Sequence, residues 1–531
     1  MEASETRGGR LLIYSKLSGV LALLIFLGLA LYWVPIQSKG FYFDDKFSIE
    51  NNAAIKSIDI PKIFNTFNSR FLVGLSFAFN YQCSALHPAG YRVVNVLIHC
   101  LNAFLVFLLI RSTLSLYGTP RSTPVGSFEW PALFGAILFL CHPIQTEPVN
   151  FITQRFVLMG TFFYLLTLFL YIQYRVQSKK RYLIAAMSAA LAAMFCKEFV
   201  VTLPLMLALY EFYFLESINE MIGKRAKHLI PFFVIALIVP LLLFRTPPQA
   251  IGVANIANSK VSDHIDITRA NKAIDRKQYF LTELNVVCTY VRLLIVPVEQ
   301  NFDYDYPITH QMDKEAVLSG AFLFCLLFLA VLTYQSYRII SFSILWFFIA
   351  LSVESSVIPI GHVIAEYRVY LAGVGFVFLI TSLIYITPGD RKRFNMIAVA
   401  ILIGCAILTY QRNLVWGDEI TLLSDTIQKS PHKARPYNNR GFEYLKQGHF
   451  AQAITDFNKA IELNPKYADA YNNRGIYYAR QGDMPRAIAD FTQVIRLNPK
   501  EVKAYHNLSI VYDKLKQANP SLINALKNTS Q

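Results

Sequence analysis

Long apolar runs alternate with short polar breaks over residues 1–412. The first apolar run follows Lys16, and later runs include those near 91–112, 131–147, 157–174, 182–196, 199–215, 229–245, 367–387 and 394–411. Runs of this length and composition are typical of helices that cross a bilayer. The pattern therefore predicts an all-α, polytopic membrane protein in which the first span is retained.

Basic residues between the runs predict the orientation, because short cytoplasmic loops are enriched in Lys and Arg. One basic cluster is Lys179-Lys180-Arg181, and another, Arg391-Lys392-Arg393, lies between the last two runs. Both clusters face the cytoplasm only if the more polar stretch 281–298 is re-entrant or interfacial. This arrangement predicts about eleven spans and a cytoplasmic N-terminus. The loop after the first span and the C-terminal domain then lie on the other side of the membrane.

The C-terminal segment has a 34-residue period, marked by Pro431, Pro465 and Pro499. Glycine pairs and the aromatic residues Phe457 and Phe491 recur at the same interval. This is the tetratricopeptide pattern of stacked helix pairs. It predicts a membrane domain over 1–412 and an α-solenoid over 413–531, with repeats at 434–467, 468–501 and, in part, 502–520.

Composition narrows the functional classes. The chain is 54% hydrophobic and 16% charged, with a net charge of +15. Much of the positive excess lies in short loops, so it indicates membrane orientation rather than nucleic-acid binding. The seven cysteines have no paired spacing and predict neither a disulfide framework nor a metal site. Nucleotide-binding glycine loops and hydrolase signatures are also missing from the sequence.

An acidic pair at a predicted membrane border is the first candidate for chemistry. Asp44 and Asp45 directly follow Phe41-Tyr42-Phe43, at the end of the first apolar run. A carboxylate at this depth is costly unless it is solvated, paired or functional. The residues alone leave two interpretations equally open: a solvated or helix-capping pair, and a general base with its neighbour.

Further polar residues lie within or beside the apolar runs, and each has a structural alternative. Lys197-Glu198 could be an ion pair at a helix junction, and Glu147 could pair with Arg155. The residues Asn95, His99 and Asn102 recur on one helix face and predict an interhelical hydrogen-bond cluster. Asp303 and Asp305 are weak candidates for a cation site, and no metal is assigned to them.

With these motifs placed, the chain resembles the TMTC proteins, membrane O-mannosyltransferases that carry tetratricopeptide repeats, and their bacterial relatives. The resemblance begins at Phe43-Asp44-Asp45 and covers nearly the whole chain. Further matching segments follow in the same order: Arg70 to Asn80; Gly90 to Asn95 with His99 and Asn102; His142-Pro143 with Thr146-Glu147; Lys197-Glu198 with Thr202-Leu203-Pro204; Ser355 to Pro359 with Glu366, Arg368 and Tyr370; and then the repeats.

The resemblance implies a GT-C glycosyltransferase fold and a polyprenyl-phosphate sugar donor. Asp44 and Asp45 would be the catalytic acids, with Asp44 the favoured base. The implied donor-binding residues are Arg92, His142, Glu147, Arg155, Lys197, Glu198, Glu366 and Arg368. The acceptor, a protein or peptide, would bind the repeats through Tyr437, Asn438, Tyr471, Asn472 and Tyr505. No cofactor is assigned, and a divalent cation stays open.

Two departures favour the bacterial relatives and a bacterial inner membrane over the endoplasmic reticulum. Phe156-Val157-Leu158 follow Arg155, where eukaryotic members carry an acidic residue, and only about three repeats are present. The identity of the sugar, mannose in the named family, and of the acceptor stays open.

A second functional class is compatible with the same features. A membrane-anchored scaffold could use the repeats to assemble envelope complexes without any catalysis. A transporter of lipid-linked oligosaccharides is a weaker alternative, because the membrane segment shows no internal symmetry.

Overall fold

The computed structural model describes residues 2–117, 129–215, 226–245, 274–360, 362–386 and 391–518. Within these ranges the chain is helical and contains no β-strand, which confirms the predicted all-α class. The chain divides into two units. The membrane unit comprises the described residues within Met1–Ile251, Ile274–Gln300 and Pro307–Gly417, and the repeat unit comprises Asn301–Tyr306 and the described residues within Asp418–Gln531.

The helices of the membrane unit are, in chain order, α1 Glu2–Leu31, α2 Trp33–Ile36, α3 Ile60–Phe67, α4 Phe71–Ser84, α5 Pro88–Tyr117, α6 Glu129–Cys141, α7 Thr146–Asn150, α8 Arg155–Gln177, α9 Lys180–Ala193, α10 Leu203–Tyr210, α11 Ala226–Ala236, α12 Ile238–Arg245, α13 Arg276–Ile295, α14 Lys314–Thr333, α15 Arg338–Leu351, α16 Val369–Ile386 and α17 Arg391–Val415. The predicted domain boundary at 412/413 lies within α17.

Six stretches of the described chain are long and apolar enough to cross a bilayer, namely α5, α8, α14, α16, α17 and the segment Glu198–Leu215. The helix α6 and the segment Pro143–Asn150 add a seventh if this pair, bent by 52°, is one span. Three shorter apolar helices also occur in α1, α11–α12 and α15. The chain is thus a multi-pass membrane protein. The count of eleven spans and their orientation remain predictions.

Helices differ sharply in how much of their surface faces the rest of the protein. In the most apolar window of α5 and of α8, 61% is buried, whereas the value is 17% in α14 and 11% in α17. The exposed positions of α14 include Phe324 and Val331. Large apolar side chains are stable at such positions when lipid covers them. We therefore assign α5 and α8 to the centre of the unit and α14 and α17 to its periphery.

The polar face of α5 confirms the predicted interhelical cluster. The His99 ring nitrogen Nδ1 lies 2.7 Å from the Tyr370 hydroxyl. Asn102 donates to the same hydroxyl and to the Leu158 carbonyl, each at 3.0 Å. The side chains of His99, Asn102 and Tyr370 are polar and buried. Hydrogen bonds among them and to the backbone offset the cost of burying polar groups in an apolar bundle.

The repeat unit consists of six helices among its described residues, α18 Glu419–Lys429, α19 Ala434–Lys446, α20 Phe450–Leu463, α21 Ala468–Arg480, α22 Met484–Leu497 and α23 Val502–Ala518. Asp418 caps α18 by accepting a hydrogen bond from the Thr421 amide. The predicted third repeat, 502–520, extends beyond the described residues at 519–520. Helix pairs α19–α20 and α21–α22 form the two complete repeats.

Small residues and ion pairs recur with the 34-residue period. A Cβ atom on Gly441 would lie 2.9 Å from the Phe457 ring, and one on Gly475 would lie 2.8 Å from the Phe491 ring. Paired helices can approach this closely only where the side chain is absent. Across the same interfaces Arg440 binds both carboxylate oxygens of Asp456, and Arg474 binds those of Asp490. The third repeat has Leu508 at the corresponding position.

The hexapeptide Asn301–Tyr306 is held within the repeat unit by a buried carboxylate. Asp303 forms ion pairs with Lys433 and with Arg435, the latter at 2.7 Å. The Asn301 side chain donates to the Ser430 hydroxyl at 2.8 Å. Positively charged protein groups therefore occupy the place that a cation would take beside Asp303.

Asp303→Asn is expected to loosen this hexapeptide, because two cations would lose a carboxylate that is only 3% exposed. Breaking a buried pair by removing one partner costs about 3–5 kcal/mol, and a smaller cost is expected here because Lys433 and Arg435 are partly exposed. Faster hydrogen exchange at the Asp303 and Asp305 amides, together with a lower melting temperature, would report it. The matched control is Asp305→Asn, an exposed carboxylate in the same segment. Equal effects of the two substitutions would contradict the assignment.

Candidate functional site

Asp45 is an anchor for the first loop. Its Oδ1 atom accepts hydrogen bonds from the Thr153 amide, at 2.7 Å, and from the Thr153 hydroxyl. The Oδ2 atom accepts from the Tyr42 amide at 3.3 Å. The side chain is fully buried. Both carboxylate oxygens are therefore engaged in tying the loop to the segment before α8.

Asp44 has a different environment from its neighbour. It is half-buried, and it is close enough to Tyr367 for the two groups to interact electrostatically. The preceding residue, Phe43, has a φ of +45°. A non-glycine residue in this region costs on the order of 1 kcal/mol or more, and such positions cluster at functional sites. The left-handed turn and the Asp45 anchor together direct the two acids into different surroundings.

Arg92 supports the same loop from α5. Its guanidinium donates to the carbonyls of Ser38, at 2.8 Å, and Gly40, at 2.6 Å. It also lies over the Tyr42 ring, with the guanidinium carbon 4.9 Å from the ring centroid. Arg92 was predicted to bind the donor; these contacts indicate a role in holding the first loop.

Arg155 lies at the start of α8 and is fully buried. It donates to the side-chain oxygens of Asn95 at 2.8 Å and Asn80 at 2.9 Å, and to the Tyr91 carbonyl at 2.9 Å. The Phe77 ring packs against the guanidinium at 4.7 Å. These neutral partners join α4, α5 and α8 around one buried charge.

Two buried carboxylates meet beside the Glu366–Arg368 turn. Glu147 accepts from the Tyr367 amide at 3.1 Å, and Glu366 accepts from the Gln300 side chain at 2.8 Å. The two acids repel each other, and Arg412 provides an opposing positive charge. The sequence suggested Arg155 as the partner of Glu147; in the structure Arg412 is the cation that interacts with it.

Arg368 holds the loop that precedes it. It donates to the carbonyls of His362, Val363 and, at 3.3 Å, Glu354. Its charge is balanced by Glu283, 3.6 Å away on α13. Like Arg92, Arg368 was predicted to bind the donor, and its described contacts are those of a residue that positions a loop.

His142 is at the break between α6 and α7. Its Nε2 atom lies 3.0 Å from the Leu294 carbonyl, and its Nδ1 atom accepts from the Ile144 amide at 3.3 Å. Both ring nitrogens are therefore used in joining the broken helix to α13. Its predicted contact with the donor phosphate stays a prediction.

Lys197 and Glu198 pair with different partners rather than with each other. Glu198 receives two hydrogen bonds of 3.1 Å from Arg70, and Lys197 lies 2.8 Å from Glu354. The Lys197 ammonium group is also 4.3 Å from the centroid of the Tyr367 ring. Tyr367 also interacts electrostatically with Asp44 and Glu147. These contacts define one group of charged and polar residues: Asp44, Arg70, Glu147, Lys197, Glu198, Glu354 and Tyr367.

Three members of this group were not predicted as site residues: Arg70, Glu354 and Tyr367. Arg70 begins one of the segments that carry the family resemblance, and Tyr367 lies between two predicted site residues. Tyr367 could therefore have been predicted from its place in the sequence, between Glu366 and Arg368. The pairing of Arg70 with Glu198 joins residues 128 positions apart and has no signal in the sequence.

The predicted acceptor residues of the repeat unit differ in exposure. Tyr437, Tyr471 and Asn472 are half-buried, and Tyr505 is exposed. Asn438 is buried, and its amide oxygen accepts from Asn473 at 2.9 Å. Four of the five side chains therefore keep some accessible surface.

A search of the described residues finds no group of three or more His, Cys, Asp or Glu side chains arranged to hold a metal ion.

Comparison with known proteins places these features in a family context. A tetratricopeptide-repeat family model matches residues 439–502. The chain is 25% identical over 444 residues to the protein O-mannosyl-transferase F38B6.6 of Caenorhabditis elegans, an alignment that covers 80% of the chain and 60% of the relative. The same identity holds over 472 residues to the protein O-mannosyl-transferase TMTC3 of Homo sapiens, covering 81% of the chain and 49% of the relative.

The chain is TMTC-like. The Drosophila melanogaster protein O-mannosyl-transferase Tmtc3 agrees, with 25% identity over 73% of the chain and 48% of the relative. The TMTC-like chain thus spans about half the length of the curated relatives it matches. An alignment over 80% of the chain extends far beyond residues 439–502, which the repeat model matches, and therefore into the membrane unit.

Titration of Asp45 is expected to affect the stability of the TMTC-like chain. Burial raises the pKa of Asp45 from 3.8 to about 6, although Thr153 and Arg92 act to lower it. Between these two values the folded chain keeps a proton that the unfolded chain has lost. The free energy of unfolding therefore falls as the pH rises through this window, by about 3 kcal/mol at most.

Asp45→Asn removes this titration, so its melting temperature relative to the wild type is expected to rise between pH 4 and pH 7. Thermal unfolding of the detergent-solubilised protein measures the difference. Asp313→Asn, which alters an exposed helix cap on α14, is the control and should keep the wild-type slope. A constant difference for Asp45→Asn across the range would refute a raised pKa.

Proposed function

We propose that the chain is a membrane glycosyltransferase of the GT-C type. It transfers a sugar, mannose by analogy with the names of its relatives, from a polyprenyl-phosphate donor to a hydroxyl group of a protein acceptor. The single observation that carries the proposal is the division between the two acids. Asp45 is buried and both of its oxygens accept hydrogen bonds, while Asp44 is half-buried and interacts electrostatically with Tyr367, whose ring lies 4.3 Å from the Lys197 ammonium group.

In the proposed reaction the Asp44 carboxylate accepts the proton of the acceptor hydroxyl. The hydroxyl oxygen forms a bond to C1 of the sugar, and the bond between C1 and the phosphate oxygen breaks. The phosphate leaves with the bonding electron pair, and cations stabilise its negative charge. Lys197 is suited to this task because its ammonium group lies 4.3 Å from the centroid of the Tyr367 ring, and Asp44 interacts electrostatically with Tyr367.

Arg92, Arg155, His142 and Arg368 support the site by positioning its loops, in keeping with their hydrogen bonds to backbone carbonyls and amides. The buried carboxylates Glu147 and Glu366 hold the turn that presents Tyr367. Such supporting contacts preorganise a site even when they do not touch the substrate.

The repeat unit is proposed to bind the acceptor as an extended segment, through the accessible surfaces of Tyr437, Tyr471, Asn472 and Tyr505. Positive charge between the apolar runs supports a non-cytoplasmic location for Asp44 and the repeats. Only this side of the membrane would then carry the reaction.

Asp44→Asn is expected to lower kcat by about 100- to 10,000-fold, the usual contribution of a general base. The measurement is transfer of radiolabelled mannose from a purified polyprenyl-phosphate mannose to protein acceptor in membranes that contain the full chain. Asp59→Asn is the matched control, since Asp59 is an exposed helix cap on the same loop.

Full activity of Asp44→Asn would remove Asp44 from the mechanism. A wild-type protein without any sugar transfer, in membranes where the repeats still capture partner proteins, would instead favour the scaffold.

A further inference from the structure

We propose that Arg70 and Lys197 form the subsite that binds the phosphate group of the donor, with Arg70 as its main ligand. The inference rests on the proposed function, since it assigns the donor's phosphate ester to particular side chains. The predicted roles of the repeats and of Asp44 and Asp45 do not depend on this assignment.

Arg70 is held with one edge of its guanidinium directed to Glu198 and the other left available. Its Nε and Nη2 atoms each donate to Glu198 at 3.1 Å, and the Ser69 hydroxyl donates to the same carboxylate at 3.3 Å. Among the described residues no hydrogen bond uses the Nη1 group of Arg70. The Arg70 side chain is 39% exposed, and its guanidinium packs over the Phe156 ring at 5.1 Å.

Lys197 provides a second positive charge nearby. The backbone amide of Leu72 donates to the Phe195 carbonyl at 3.1 Å, which joins the chain just after Arg70 to the chain just before Lys197. The Lys197 ammonium group has three protons, and its described ion pair is with Glu354. Burial lowers the pKa of Lys197, Glu354 acts to raise it, and the charge of Arg70 lowers it further.

Two cations that repel each other form a favourable place for an anion. A phosphate oxygen between them would relieve the repulsion, and Arg70 can donate to it while it stays oriented by Glu198. The carboxylates Glu198 and Glu354 have a second effect, because they keep the two cations charged in a partly buried site. Tyr367, whose ring borders Lys197, interacts with both Arg70 and Asp44. Tyr367 thus links the proposed phosphate subsite to the proposed base through its interactions with both.

A purely structural ion-pair network would explain the same carboxylates, so the test must separate the two roles. A network needs Arg70 and Glu198 equally, because each neutralises the other. A phosphate subsite depends mainly on Arg70, and loss of Glu198 leaves the binding cation in place. The effects of Arg70→Gln and Glu198→Gln on phosphate binding therefore differ only if Arg70 contacts the ligand.

The experiment uses the purified full chain in nanodiscs, with undecaprenyl phosphate as the probe. Binding is read as the rise in melting temperature, which needs no catalysis. Undecaprenol, which lacks the phosphate, tests the lipid tail, and inorganic phosphate tests the free anion. Arg70→Gln is expected to weaken the binding of undecaprenyl phosphate by about 10- to 100-fold, the usual loss for a charged hydrogen bond. Arg70→Lys should recover part of it, and Glu198→Gln should weaken binding less.

The matched control is Arg175→Gln, which breaks another Arg–Glu pair in the same unit, that with Glu211. Arg175 lies near the end of α8, whereas Phe156, the residue under Arg70, lies at its start. The intervening helix is about 28 Å long at 1.5 Å per residue. This variant should bind the probe as the wild type does.

The inference is overturned if Arg70→Gln binds undecaprenyl phosphate as tightly as the wild type does, or if Arg70→Lys recovers none of the lost binding. Equal losses in Arg70→Gln and Glu198→Gln would also overturn it, in favour of a structural pair. If inorganic phosphate stabilises the chain as much as undecaprenyl phosphate does, the assignment of the subsite to a lipid-linked phosphate is wrong. Arg70-dependent binding without any sugar transfer by the wild type would keep the subsite and reject the proposed function.

Discussion

Burial of the Arg155 guanidinium is the constraint on which the centre of the membrane unit depends. A buried charge is tolerated only when its donors are satisfied, and breaking such an arrangement costs several kcal/mol. Arg155 meets this demand with the amide oxygens of Asn80 and Asn95 and the carbonyl of Tyr91. These partners come from α4 and α5, and Arg155 itself begins α8. The hydrogen bonds therefore restrict how these three helices can be arranged. Thr153, which fixes the first loop, lies two residues before this arginine.

From that fixed centre the two neighbouring acids acquire separate tasks. Both Asp45 oxygens accept hydrogen bonds from the protein, whereas Asp44 is half-buried and is the acid proposed to meet a substrate. The left-handed backbone at Phe43 is part of the same device, because it turns the chain immediately before the pair. A second positive φ, of 45° at Asn68, occurs two residues before Arg70. Positive φ angles thus occur beside both the proposed base and the proposed phosphate ligand, and among the described residues also at Ala85, Ser178 and Glu299.

Much of the fold follows from the sequence because its signals are local. Apolar runs predict helices, and the 34-residue period predicts paired helices that touch at small residues, as they do where Gly441 meets Phe457. The site is less predictable, since adjacent acids such as Asp44 and Asp45 look alike until burial separates them. The choice of Arg70 for Glu198 and of Glu354 for Lys197 depends on how distant segments pack. Charged residues at helix ends could be predicted to gather there, but their pairing could not.

The separation of Arg70 from its partner has a consequence for how the chain is made. Glu198 follows Arg70 by 128 residues, which a ribosome adds in about 6–26 s at 5–20 residues per second. During that interval the Arg70 guanidinium lacks the Glu198 carboxylate that orients it in the folded chain. Tyr367 is synthesised later still. The newly inserted helices therefore pass through a stage in which the proposed phosphate subsite is not yet organised.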